Sequence, residues 1–319
     1  MPKLNVIQNS SLPAWLEENL KKYFNVYPLW SDADPQKFLS EHGSEYQAVV
    51  SRAAVGVSES LINHLPNLKV ISSFGVGYDK VAIDAAKKKG IQVGYTPDVL
   101  NDCVADTAFG LLIDVARQMS ASDRYARSGN WLENPYPMTT KVSGKKLGIL
   151  GLGRIGQVIA KRASGFDMEI RYHNRKKNPD LPYQFEPSLI ELAKWCDFLV
   201  VASAGGVETN NLVSEEVLTA LGPKGYLINI ARGTVVDEFA LIKALQDKKI
   251  AGAGLDVYKD EPRIPEQLLS LDNAVLLPHV ASATNETRQA MAELVLDNLM
   301  SYAETGRVKV GVPGTVVAD

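Results

Sequence analysis

The stretch Lys145–Gly156, KKLGILGLGRIG, decides the fold. A short apolar run, Leu147-Gly148-Ile149-Leu150, leads straight into Gly151-Leu152-Gly153-Arg154-Ile155-Gly156, and the helical run Gln157–Ala163 begins where the glycines end. In a strand–loop–helix of this kind the first glycine permits a tight turn and the second lets the backbone approach a pyrophosphate. The third lets helix and strand pack closely, while the helix N-terminus offers unpaired N–H groups and a positive dipole. The bare spacing is weak evidence, but between a strand and a helix it is strong. The segment Gly151, Leu152, Gly153, Arg154, Ile155, Gly156 is expected to hold a dinucleotide.

Working outward, short apolar runs alternate with amphipathic helical stretches, which implies parallel sheets covered by helices. After the loop come Met168–Tyr172, Phe198–Ala202, Tyr226–Ile230, Gly252–Val257 and Ala274–Leu277, and a last helix over about 284–304. Before it, Asn101–Arg127 reads as one long helix with Val104, Ala108, Leu111, Leu112, Val115 and Met119 on one stripe. The first hundred residues form a smaller α/β unit with strands at Ala48–Val50, Lys69–Ser72 and Ile91–Val93 and helices at Ser58–His64 and Asp84–Lys89. The reading is α/β, with two doubly wound parallel-sheet domains: a dinucleotide-binding domain over 102–285, inserted in a substrate domain of 1–101 plus 286–319.

Composition narrows the function classes. The chain has 319 residues, room for two domains, with 45% hydrophobic and 22% charged residues, which excludes a disordered or fibrous chain. A net charge of −3 gives no reason to expect a nucleic-acid or anionic-membrane partner. No apolar stretch is long enough to span a membrane, and the N-terminus lacks the pattern of a signal peptide. Cys103 and Cys196, with no CxxC spacing, suggest neither a disulfide framework nor a metal site. A cytoplasmic protein without bound metal is expected.

The end of the second cofactor strand reads His173-Asn174-Arg175-Lys176-Lys177, with no acid between Arg171 and Pro179. An NAD site usually carries a carboxylate here for the ribose hydroxyls. Donors and positive charge at Asn174, Arg175 and Lys176 suit a 2′-phosphate instead. NADP is the expected cofactor, with NAD as a weaker one.

Three further segments each sit at or just past a predicted strand end, where open α/β sheets bind ligands. They are Asn229–Gly233 with Arg232, Gly254–Pro262 with Glu261, and Leu277–Thr284 with His279. Reduction of a 2-oxo acid needs a cation for the carboxylate, a proton donor for the developing alkoxide, and a hydride. A carboxylate beside the imidazole favours its protonated form, so the donor is loaded near neutrality.

Together with SSFGVGYDKV, YTPDVLNDCVADTAFGLL, INIARG, GAGLDVYKDEP and LLPHVASAT, these segments resemble the D-isomer-specific 2-hydroxyacid dehydrogenases. The resemblance is strongest to the glyoxylate/hydroxypyruvate and hydroxyphenylpyruvate reductase branch, and it runs from about Ser72 to Pro313. It implies a Rossmann cofactor domain inserted in a flavodoxin-like substrate domain, with no regulatory domain after Asp319. It also implies that Arg232 binds substrate, His279 is the general acid/base, and Glu261 holds and polarises His279. Val76 and Gly77 would bind the substrate carboxylate through backbone N–H groups. Asp256 would meet the nicotinamide carboxamide, beside Ile230, Ala231, Arg232, His279 and Ala281, with Thr107 lining the same pocket. Ala202, Ser203 and Thr209 would flank the cofactor, in a segment, VASAGGVETNN, that departs from the commoner Cys-Pro pattern.

Arg52, after the strand AVVS, is a further candidate for the substrate carboxylate. The resemblance also implies a homodimer whose interface takes in WLENPYPM, with an aromatic that reaches the partner's substrate pocket, for which Tyr136 is the candidate by its spacing before GKKLGILG. The resulting expectation is an NADPH-dependent reductase of hydroxypyruvate and glyoxylate. Two rivals stay open: a wider-pocket reductase of phenylpyruvates or 2-ketogluconate, and a dinucleotide-sensing corepressor or scaffold.

Overall fold

The computed structural model describes residues 3–315, which fall into two compact units, residues 3–100 with 283–315, and Asn101–Ser282. In the first unit β1 (Asn5–Gln8), β2 (Asn25–Tyr27), β3 (Ala48–Arg52), β4 (Val70–Phe74) and β5 (Gln92–Gly94) pair in parallel in the order β2-β1-β3-β4-β5. That is the flavodoxin-like order of a doubly wound sheet. Sequence reading missed β1 and β2, whose runs are short, with β2 only three residues long and none of them fully buried. Ser58 caps the helix Glu59–His64 by accepting from Leu61 N–H at 3.2 Å.

The helix Asn285–Thr305 belongs to this same unit. Ser72 Oγ of β4 donates to its Val295 carbonyl at 3.0 Å, and the buried Asn298 side chain joins the carbonyl of Tyr95 to the N–H of Val310. A buried amide satisfied on both sides fixes position as well as stability, since an unpaired one costs ~1–3 kcal/mol.

The second unit holds β6 (Lys146–Leu150), β7 (Glu169–His173), β8 (Gln184–Phe185), β9 (Phe198–Val201), β10 (Tyr226–Asn229), β11 (Gly252–Leu255) and β12 (Ala274–Leu276). All pair in parallel, in the order β12-β11-β10-β9-β6-β7-β8. The order reverses between β6 and β9, so the glycine loop that leaves β6 stands at the switch point where such sheets bind nucleotides.

The expected long helix is two helices. Asn101–Arg117 buries Val104, Ala108, Leu111, Leu112 and Val115 and packs on β10–β12. Gln118 then turns left-handed at φ 50°, and a second helix, Met119–Arg127, has no buried residue. Met119 leaves the expected stripe and is 55% exposed. The reason is local: Asp114 accepts from Ser120 N–H at 2.8 Å, which starts a new helix and redirects the chain.

Candidate active site

The glycine loop divides its work as its spacing implies. Gly151 turns at φ 98°, and a Cβ there would lie 2.5 Å from the Ser203 backbone nitrogen. A Cβ on Gly156 would lie 2.3 Å from the Gly151 carbonyl oxygen, so the helix Arg154–Ser164 can sit this close to the loop only with glycine. Gly153 is different: a Cβ would meet nothing within 4 Å. That free space lies at the N-cap of the helix, where N–H groups lack intrahelical partners. A pyrophosphate fits this cradle, which no atom of the described residues fills within 4 Å of that Cβ position.

Past β7, Asn174 Oδ1 accepts from the Leu152 N–H at 2.8 Å. The basic turn is thereby pinned to the glycine loop, and the Asn174 amide is left to present its donor group. Arg175 Nη1 lies 2.5 Å from Glu208 Oε2, and both side chains are exposed. Lys176 is exposed beside them. Across the glycine loop, past β9, Ala202 and Ser203 follow, and the Ser203 hydroxyl is buried with no hydrogen-bond partner among the described residues.

The three reactive side chains stand together at the far strand ends of the same unit. At the end of β10, Asn229 ties the turn Ile230–Arg232, accepting from Ala231 N–H at 3.1 Å and donating to the Arg232 carbonyl at 3.0 Å. Glu261 Oε2 lies 2.7 Å from His279 Nδ1, and Glu261 Oε1 accepts from the Tyr258 N–H at 3.1 Å. An ionised carboxylate only accepts, so Nδ1 carries a proton and Nε2 is the nitrogen left to exchange one. Burial on its own would raise the Glu261 carboxyl. The hydrogen bond and charge of His279, the Tyr258 N–H and the Arg232 guanidinium outweigh it and hold the group below the usual carboxylate range.

His279 has a left-handed backbone, φ 54°, and the two peptide N–H groups that follow it both go to Asp256: Val280 at 2.7 Å and Ala281 at 3.0 Å. Asp256 is 1% exposed, and burial pushes its carboxyl up against the opposing pull of those two bonds and of His279. The Thr107 hydroxyl contacts the carbonyls of Cys103 at 3.1 Å and Ala281 at 3.4 Å. Ile230, Ala231 and Ala281 are buried around this corner.

Residues 109–281 match the D-isomer specific 2-hydroxyacid dehydrogenase, NAD binding domain. The chain belongs to the D-isomer specific 2-hydroxyacid dehydrogenase family. It is 46% identical over 302 residues to glyoxylate/hydroxypyruvate reductase A of Arabidopsis thaliana, covering 95% of this chain and 96% of that one. It is 45% identical over 302 residues to hydroxyphenylpyruvate reductase of Plectranthus scutellarioides, again covering 95% and 96%. Among solved structures, the NADPH-dependent glyoxylate/hydroxypyruvate reductase of Sinorhizobium meliloti, in complex with NADP and malonate, matches with a TM-score of 0.91 at 37% identity, covering 99% of each chain.

Within this 2-hydroxyacid dehydrogenase, several of the expected residues also have hydrogen-bond partners in the chain itself. Asp256, expected at the carboxamide, is buried with both oxygens taken by the backbone after His279. The Thr209 hydroxyl donates to the carbonyls of Ala204 and Gly206 and so braces its own loop. Tyr136, expected to reach a partner, finds partners in its own chain: its hydroxyl donates to Gln118 Oε1 at 3.0 Å, and its ring meets Tyr125 edge-on at 5.2 Å. Arg52 is exposed at the end of β3, while Val76 and Gly77 follow β4 in the first unit.

Sequence reading passed over Tyr258 and Glu208. The Tyr258 hydroxyl donates to the carbonyls of Leu255 at 3.3 Å and Leu277 at 3.0 Å, joining the ends of β11 and β12 that carry Glu261 and His279. Only its place inside GLDVYKDEP marked it. No helix among the described residues is long and apolar enough to cross a membrane.

Proposed function

We propose that the chain is an NADPH-preferring reductase of small 2-oxo acids, converting hydroxypyruvate to D-glycerate and glyoxylate to glycolate. The observation that carries this reading is the 2.7 Å bond from His279 Nδ1 to Glu261 Oε2, close enough to Arg232 for its charge to act on the carboxylate. When bound, the nicotinamide cofactor supplies the hydride for the carbonyl carbon. His279 Nε2 gives its proton to the carbonyl oxygen as negative charge develops there. Glu261 keeps the ring in one tautomer and one orientation. Arg232 anchors the substrate carboxylate through a bidentate pair. Gly151–Gly156 would hold the pyrophosphate and Asn174, Arg175 and Lys176 the 2′-phosphate, with Thr107, Ile230 and Ala231 around the nicotinamide.

The test is the rate of NADPH oxidation by the purified protein against a panel of 2-oxo acids. The proposal expects hydroxypyruvate and glyoxylate to lead. A second reading, a wider pocket that takes phenylpyruvates, is favoured by the likeness to the Plectranthus enzyme, and the same panel separates the two. NADPH binding without turnover of any 2-oxo acid would point to a nucleotide-sensing scaffold instead.

We further propose that the protein is a homodimer. Support comes from Met119, Trp131, Leu132 and Met138, apolar side chains that are 55%, 72%, 93% and 100% exposed and lie within twenty residues of one another. Analytical ultracentrifugation tests it: a single species at monomer mass across the working concentration range contradicts the dimer.

A further inference from the structure

We infer that Glu208 is a specificity-determining residue that restrains the preference for NADPH, because its carboxylate contends with the cofactor 2′-phosphate for Arg175. This rests on the proposal that Arg175 faces that phosphate. The sheet order β9-β6-β7 sets the turns after β9 and β7 on either side of the glycine loop. Arg175 lies two residues past β7, and Glu208 lies in the short helical turn Val207–Thr209 past β9. Their contact, 2.5 Å from Nη1 to Oε2, therefore joins the two turns that flank the pyrophosphate cradle.

Glu208 is not on a loose segment. The Thr209 hydroxyl donates to the carbonyls of Ala204 at 3.0 Å and Gly206 at 3.1 Å. Gly206 sits at φ 140°, a conformation that side-chain-bearing residues rarely adopt, and the turn Val207–Thr209 that carries Glu208 starts from it. A 2′-phosphate carries about −1.5 to −2 charge, taking the second ionisation of an ordinary phosphate monoester as the guide. It would approach a guanidinium that already has a carboxylate on one Nη, and would feel that carboxylate's repulsion. With side-chain exposures of 84% for Arg175 and 73% for Glu208, the pair is weak in its own right. The phosphate therefore still binds, but less tightly than it would opposite an unopposed arginine. NADH carries only an uncharged hydroxyl at that position and does not compete with Glu208 for Arg175.

The experiment measures Kd for NADPH and NADH by calorimetry on the full chain, in wild type, Glu208→Gln, Arg175→Ala and the double variant. Gln keeps the shape and removes the charge. Glu208→Gln is expected to tighten NADPH about two- to five-fold at low salt, the worth of an exposed ion pair, and to leave NADH unchanged. The gain should fade at high salt and shrink in the Arg175→Ala background, where only the direct repulsion between Glu208 and the phosphate is left to relieve. Unchanged or weaker NADPH binding, or equal tightening of NADH, overturns the inference. If Arg175→Ala lowers NADPH preference while Glu208→Gln does nothing, the inference about Glu208 alone fails. If Arg175→Ala leaves the preference untouched, Arg175 does not face the phosphate and both readings fall.

Discussion

Asp256 governs His279 without touching its ring. Its two carboxylate oxygens accept the N–H groups of Val280 at 2.7 Å and Ala281 at 3.0 Å, the residues directly after the left-handed His279. A left-handed backbone is unfavourable for a side chain of this size and persists only where its surroundings over-determine it. The buried carboxylate is that surrounding, and it aims the imidazole at Glu261.

Asp256→Asn tests this directly. An amide accepts through one oxygen only, so one N–H loses its partner and the imidazole loses its fixed direction. A buried bond to a charged acceptor is worth ~1.5–3 kcal/mol. Turnover of a 2-oxo acid should fall roughly ten- to hundred-fold at ~1.4 kcal/mol per decade. Calorimetric unfolding should show a lower Tm, while NADPH affinity changes less than turnover. Wild-type turnover in Asp256→Asn would remove it as a positioning residue.

Glu261→Gln separates proton supply from structure. The Glu261 carboxyl, held below its ordinary value near 4.5 in part by His279, is ionised throughout the neutral range. With a neutral amide the ring loses its charged acceptor at Nδ1 and its fixed orientation, so kcat/KM for reduction should fall roughly ten-fold or more while NADPH affinity is nearly unchanged. A lowered carboxyl stabilises the fold above its unfolded value and loses that contribution as pH falls through the folded one. Glu261→Gln should therefore flatten the acid side of the stability curve, and chemical denaturation at several pH values reads it out.

The glycine loop offers a paired test. Gly153→Ala puts a methyl group where the chain has nothing within 4 Å, at an ordinary negative φ, so Tm should hold. Dinucleotide affinity should still drop at least about tenfold, since the methyl group occupies the pyrophosphate cradle. Gly151→Ala meets the Ser203 backbone at 2.5 Å from a φ of 98° and should lower Tm itself. Equal effects of both changes on Tm would contradict this division.

Arg232→Ala should lower kcat/KM for a 2-oxo acid by about a thousand-fold, ~4 kcal/mol, through loss of a bidentate carboxylate pair. NADPH affinity should be nearly unchanged. A near-wild-type kcat/KM would place the substrate carboxylate elsewhere.

Much of this was legible in the sequence, and the exceptions have physical reasons. The order glycine loop, Arg232, Glu261, His279 could be read because each sits at a strand end, and strand ends in a parallel sheet converge. The strands Asn5–Gln8 and Asn25–Tyr27 escaped because edge or near-edge strands of three or four residues have no periodicity to detect. The break at Gln118 escaped because no glycine or proline marks it; the signal was the polar step from Asp114 to Ser120. Roles carried by hydrogen bonds across distant segments, such as Asp256 to Val280 or Arg175 to Glu208, have no one-dimensional signature at all.

The most direct test of the whole account is kcat/KM for NADPH and for NADH at fixed hydroxypyruvate, in wild type and in Arg175→Ala. The account predicts turnover with NADPH that exceeds turnover with NADH by roughly ten-fold or more, from charge-assisted bonds worth ~1.5–3 kcal/mol. It also predicts that the ratio collapses in Arg175→Ala. Equal use of the two cofactors by the wild type, or a ratio that survives the loss of Arg175, would contradict it.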